Sequence, residues 1–391
     1  MKPTFLSLSF CIFIPLLSGC WDRVEVNDLA IVTATAIDHT EDDQIKVSVQ
    51  VFIPRALGSG GGTGGGGEES TLVRSGIGSN LADAVSKLQM HLPRKLFWGQ
   101  CKVFIFGKDL AKKGIQEQLD YLTRFPQPRD RAYMYVSKDA EKVLELLPPL
   151  ERYSGEVLKE LSDFQIGMRI TMKDLTLMLT NEAQNAALPD VKILPPEEGK
   201  KETETIPFIS GTAVFKKDKM IGRMNANHTR GILWLRNEMK EYTISFRPAG
   251  ESGEISLSPV TSDVKLIPSV MDGQWKMTVK VRTEGNVVQN ETKLALLNPV
   301  IIQRLEKDFQ KKIKNRIELA VKQLQEEFNA DIIGFAEKFH RHYPKEWKKV
   351  KNRWDEVFPQ VEVKVNVEAY IHRPGFTGAP TSIPEDEVKK E

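Results

Sequence analysis

The sequence predicts an α+β protein of mixed α/β character, divided into several domains. Two kinds of apolar spacing occur in one chain. Ile45, Val47, Val49, Val51 and Ile53 alternate as in a half-buried strand, and Ile302, Leu305, Phe309 and Ile313 recur at helical steps. A length of 391 residues, at about 150 per domain, gives two or three domains. A hydrophobic fraction of 40% fills ordinary cores.

The elements follow in order. Leu29–Asp38 reads as a buried strand, and the turn at Glu41-Asp42-Asp43 pairs it with 45–53 as a hairpin. Residues 58–67 hold eight glycines and read as a flexible surface loop. A phosphate-cradling loop is excluded there, because no Gly-Lys-Ser/Thr follows and Glu68-Glu69 would repel phosphate. Asn80 caps a helix through about His91, and Cys101–Phe106 is a strand. Asp109 caps a helix that turns Leu110, Ile115, Leu119 and Leu122 inward. Ala132–Val136 is a strand, and a helix over Ala140–Leu147 stops at Pro148-Pro149. Two short helices are expected near Gly155–Phe164 and Met172–Thr180, followed by a polar hinge over 195–199.

From Ile206 the pattern changes. Thr212–Phe215, Gly231–Leu235, Tyr242–Phe246 and Trp275–Arg282 read as strands. Asn298-Pro299 opens a long helix, with Asn as the cap and Pro in the first turn, where no backbone donor is needed. Asp331 caps a second helix with Ile332, Phe335 and Phe339, and Trp347, Val350, Trp354 and Phe358 mark a third. Val361 to Ile371 alternates over a returning strand. The expected divisions are a signal peptide at 1–19, an N-terminal mixed α/β domain at 20–149 and a small connecting domain at 150–205. A C-terminal α+β domain follows at 206–375, an antiparallel sheet wrapped by long helices, and then a flexible tail at 376–391.

Composition narrows the function classes. A mean hydropathy of -0.33 excludes a chain that crosses a membrane many times. A net charge of +2 carries no bulk demand for nucleic acid, and three cysteines make no disulfide scaffold. Lys2 followed by the apolar run Phe5–Leu17 fits an export signal and is too short to span a bilayer as a helix. Next come Ser18, Gly19 and Cys20, which resemble the lipobox of bacterial lipoproteins. There the chain is cut between the residues at Gly19 and Cys20, and the thiol carries a diacylglyceryl group. Two acyl chains on Cys20 would hold the protein stably on a membrane, where a single chain binds only marginally.

No catalytic constellation stands out. Of six histidines only His340 and His342 are close, and two residues apart on a helix they face different sides. There is no metal motif, and Gly250-Glu251-Ser252-Gly253 lacks the spacing of a nucleophile elbow. Cys101 packs in an apolar strand. The basic stretch from Arg341 to Arg353 is a solvated face over a buried tryptophan stripe.

Several segments are similar to the C-subunit lipoproteins of spore germinant receptors, the Ger(x)C family. They are Cys20-Trp21-Asp22-Arg23-Val24-Glu25-Val26-Asn27-Asp28-Leu29-Ala30, Phe104 to Ala111 with Gly114, and Arg124 with Arg129-Asp130-Arg131. Further on, Gly211 to Phe215 with Gly222, and Asp331 to Phe335 through Pro344, Trp347 and Trp354, resemble the same family in the same order. Ser137-Lys138-Asp139 and Gln100 depart from its pattern. The resemblance implies a non-enzymatic subunit with no cofactor. It would sit lipid-anchored through Cys20 on the outer face of the inner spore membrane, or on the cell membrane, and act with membrane-spanning partner subunits that sense nutrients. Trp21, Asp22, Glu25, Asn27 and Asp28 are the first choice for partner or membrane contact. Arg124, Arg129 and Arg131 are read as structural ion-pair residues. The rival readings are a solute-binding lipoprotein that delivers a nutrient to a transporter, and a surface-anchored hydrolase.

Overall fold

The structure is a computed structural model that describes residues 24–53, 70–240, 242–373 and 384–389. Its elements assemble into a nine-stranded sheet and a four-stranded sheet, with helices against both.

The first sheet grows from β1 (Leu29–His39). β1 pairs antiparallel with β2 (Ile45–Phe52), which pairs antiparallel with β3 (Thr71–Gly78), so the expected hairpin is present and gains a third strand. On its other side β1 runs parallel to β4 (Lys95–Phe97) and to β5 (Val103–Gly107). β5 is parallel to β6 (Tyr133–Ser137), and β6 to β7 (Asn185–Ile193). β8 (Pro207–Lys216) and β9 (Lys219–Asn225) close that side with antiparallel pairing. Parallel strands are covered on both faces, and β5 shows the consequence, because every one of its residues is buried. Val103 and Ile105 pack to one face with Ala140, Val143 and Leu158. Phe104 and Phe106 pack to the other with Leu88, Leu110 and Leu119.

The helices against this sheet largely follow the expected signals. In α1 (Leu81–Met90) the Asn80 side chain accepts the Asp83 N–H, as a cap should. The helix expected at Asp109 is two pieces, α2 (Lys108–Lys113) and α3 (Gln116–Arg124). Gly114 breaks it with φ of 136°, and Asp109 lies inside the first turn rather than at the cap. α4 (Ala140–Leu144) and α5 (Ser154–Asp163) cover the Val103–Ile105 face. α6 (Met172–Thr180) opens with a capping box between Thr171 and Asp174.

Three expectations change here. Residues 150–205 contribute α5, α6 and β7 to the first sheet and its cover, and β8 and β9 extend that same sheet. The line at 205/206 therefore falls between hydrogen-bonded neighbours. Gly231–Leu235 is the end of a helix, α7 (Ala226–Leu235), capped by the Asn225 side chain. Ile232, Leu233, Trp234 and Leu235 are all buried, and a helix buried on every side shows no alternation to separate it from a strand. The tail is docked over 384–389. Lys389 exchanges backbone bonds with Lys293 and Ala295, and Val388 is buried.

The second sheet runs β10 (Ile244–Phe246), β11 (Ile255–Met271), β12 (Gln274–Asn290) and β13 (Glu362–Arg373). Its first three strands are antiparallel, but β13 returns parallel to β12 because the intervening helices carry the chain back to the same end. α8 (Pro299–Gln323) lies across this sheet and buries Leu305, Phe309, Ile313 and Ile317, with Asn298 capping it as expected. α9 (Phe335–His342), α10 (Pro344–Val350) and α11 (Trp354–Val357) follow. Trp347 and Trp354 are buried with ring centroids 5.0 Å apart, and Lys345, Lys348, Lys349, Lys351 and Arg353 are exposed around them. One hydrophobic core runs continuously from Phe104 and Phe215 of the first sheet to Met277 and Trp347 of the second unit.

Candidate functional site

Gly19, Cys20, Trp21 and Asp22 lie outside the described residues. Glu25, Asn27 and Asp28 are described. All three are exposed, in a short stretch that ends in a 3-10 turn over Val26–Asp28 and feeds β1. Val24 and Val26 are exposed beside them. The three described candidate contact residues are thus close in sequence, polar and exposed, just before the chain enters the middle of the first sheet as β1.

That entry defines one edge of the molecule, the edge where the parallel strands begin. Lys102 donates its backbone N–H to Thr33 of β1 and accepts from Tyr133 at the start of β6. Here Arg129, Arg131, Lys102, Lys159, Tyr133 and Asp163 line a concavity of about 330 Å³. The Tyr133 hydroxyl donates to Asp163 at 2.5 Å and accepts from the Arg169 Nε–H at 3.1 Å. Lys159 holds Asp163 at 2.8 Å, and the two cations with the tyrosine keep that carboxyl below its ordinary range despite partial burial. The expected structural ion pair exists for Arg124, which binds Asp120 at 2.6 Å. Among the described residues no carboxylate pairs with Arg129 or Arg131, which are both exposed.

A second, larger cleft of about 890 Å³ opens where α6 and β8 meet α9 and α11. Glu182 bridges the seam. It accepts the Trp347 indole N–H at 3.0 Å and lies 2.7 Å from His340 Nδ1. Lys216 of β8 binds Asp355 of α11 at 2.9 Å. Behind the cleft, Asp331 is fully buried and accepts four N–H groups, those of Ile333, Phe335, Ala336 and the Trp354 indole. It therefore caps α9 from outside the first turn, and burial still raises its pKa. Glu337 lines the cleft, and among the described residues neither of its carboxylate oxygens has a well-aligned hydrogen bond. Burial, with the charges of Asp331 and Glu182 added, raises its pKa to about 7.

Asp331 was legible in the sequence as a capping group, but the helix starts at Phe335, so Ile332 lies outside it and Gly334 holds the N-cap position. Glu182 and Glu337 were not legible, because Glu182 acquires its role from Trp347 and His340 far away in the chain and Glu337 from its burial. Cys101 is buried as expected. Its thiol accepts or donates to Thr35 at 3.4 Å, and burial pushes it up to about 12, far from a reactive thiolate. Among the described residues no group of three or more His, Cys, Asp or Glu is placed to hold a metal ion. No described helix is long and apolar enough to cross a membrane.

Known proteins resemble this chain along nearly its whole length. Residues 22–193 match the spore germination protein N-terminal domain, and residues 210–375 match the spore germination B3/GerAC-like C-terminal domain. Spore germination protein KC of Bacillus subtilis is 26% identical over 97% of this chain and 98% of its own. Spore germination protein B3 of the same organism is 22% identical over 96% and 97%, and GerQC of Bacillus cereus is 23% identical over 96% and 100%. Among solved structures the crystal structure of the GerBC protein matches with a TM-score of 0.56 at 19% identity. That match covers 86% of this chain and 96% of the other, and it supports the fold.

Proposed function

This chain belongs to the spore germination B3/GerAC-like family, and from that membership we propose that it is a lipid-anchored, non-enzymatic subunit of a nutrient germinant receptor. The family places the chain in spore germination. The finer reading adds an anchor, a location and partners. Cys20 carries the diacylglyceryl group, the folded part sits on the outer face of the inner spore membrane, and membrane-spanning subunits complete the receptor. The observation that carries the proposal is the pairing of a lipobox at 18–20 with a family match that starts two residues later, at 22. Trp21, Asp22, Glu25, Asn27 and Asp28 then lie next to the bilayer, where a partner's extracellular surface would meet them.

Mass spectrometry of the mature amino terminus tests the anchor. The proposal expects an acylated Cys20, and a Cys20→Ala chain released from the membrane fraction. An unmodified terminus, or a Cys20→Ala chain that stays membrane-bound and supports germination, would overturn it. The rival solute-binding reading expects calorimetric heat from nutrient mixtures added to the purified chain. The receptor-subunit reading does not require it.

A further inference from the structure

We propose that the concavity beneath the Arg129–Arg131 turn binds the phosphate of an anionic lipid headgroup, at the edge of the fold that faces the membrane. The inference rests on the anchored reading for its setting, but its chemistry stands on the residues themselves.

Three cations, Lys102, Arg129 and Arg131, are exposed around the concavity, and none has a carboxylate partner among the described residues. A guanidinium offers a planar fork of donors that matches phosphate oxygens two at a time. The carboxylate in the lining, Asp163, is already held by Lys159 and Tyr133, so it presents little charge to an incoming anion. Asp130 stands between the arginines as an exposed single charge against the three cations. An arginine pair whose role were structural would be spent on neighbouring acids, as Arg124 is on Asp120.

Position supplies the occupant. The Lys102 N–H bonds the Thr33 carbonyl at 3.0 Å, and Thr33 is four residues beyond Leu29, about 13 Å along the strand. Eight residues lie between Cys20 and Leu29, and the nine steps of chain make a leash of at most about 32 Å. An anchor at Cys20 thus keeps this edge within reach of headgroups. Phe164 and Ile166, 61% and 55% exposed, follow Asp163 of the concavity within three residues. An apolar pair beside a cationic concavity is the composition that settles at the boundary between headgroups and acyl chains. The other basic stretch, Lys345 to Arg353, covers the buried Trp347 and Trp354.

The test uses the mature chain carrying Cys20→Ser, so that acylation contributes nothing. Its binding is measured to vesicles of phosphatidylcholine alone and of phosphatidylcholine with phosphatidylglycerol. The proposal expects binding to the anionic vesicles, with Arg129→Ala and Arg131→Ala each weakening it about fivefold, the usual weight of one basic residue at such a surface. The remote double variant Lys348→Ala, Lys349→Ala is expected to bind as the parent does. Inorganic phosphate at matched ionic strength is expected to compete only weakly. Equal binding to both vesicle types, or an equal loss in the remote variant, would overturn the proposal. Tight binding of inorganic phosphate without vesicles would reassign the concavity to a free anion. None of these outcomes depends on Cys20, so a failure here leaves the anchor untouched, and an unmodified Cys20 leaves this measurement valid.

Discussion

Glu337 is a carboxyl group in a poor place for a charge. It is largely buried and faces Asp331 and Glu182, while His340 and Arg341 line the same cleft. Its folded pKa is about 7 against 4.5 unfolded. Below 4.5 both states hold the proton. As pH rises toward 7 the unfolded chain loses it first, so stability falls across that window and levels off above it. The fall is of order 1–3 kcal/mol. Glu337→Gln is therefore expected to melt higher than the parent at about pH 8 and close to it at about pH 4.5; urea melts across this range check the convergence. Trp354→Phe removes one of four donors from the buried Asp331 and is expected to cost about 1–3 kcal/mol in the same assay. The sequence showed Asp331 as a cap because capping is local. It hid Glu182, whose partners Trp347 and His340 lie more than 150 residues away.

At the scale of elements, the joint between the two sheets depends on how closely α7 meets α8. A Cβ on Gly231 would lie 2.4 Å from the Arg316 carbonyl oxygen and 2.5 Å from the Ala320 side chain. A backbone atom cannot swing aside, so Gly231→Ala must push the helices apart. A loss of roughly 1–3 kcal/mol is expected, measured by denaturant unfolding, and an unchanged midpoint would show that the helices yield freely. The sequence exposed elements that carried caps or clean alternation, such as α1, α8 and β13. It concealed β3 and β7, whose residues do not alternate cleanly, and α7, whose buried run mimics a strand. β11 escaped for another reason. Pro259 and Pro268 interrupt it, and beyond Leu257 its apolar residues are largely half-buried or exposed rather than alternating between core and solvent.

For the whole molecule, the mixed α/β class and the two-sheet plan followed from periodicity, but the divisions did not. Whether β8 belongs with what precedes or follows it is a matter of pairing, and pairing is decided by contacts distant in sequence. The continuous core means that the two sheet units share one hydrophobic interior. A disturbance at the seam, at Glu182 or Lys216, should therefore be felt in both. Glu182→Ala is expected to lower the melting temperature of the whole chain in one transition, and two separated transitions in calorimetry would contradict a shared interior.

As proposed, this chain works as a tethered part of a larger receptor. The most direct measurement is affinity purification of the tagged full chain from detergent-solubilised spore membranes, with its companions identified by mass spectrometry. The account predicts recovery of multi-spanning membrane subunits in fixed proportion to the chain. Recovery of the chain alone, under detergent conditions that preserve other membrane complexes of the same spores, would contradict it.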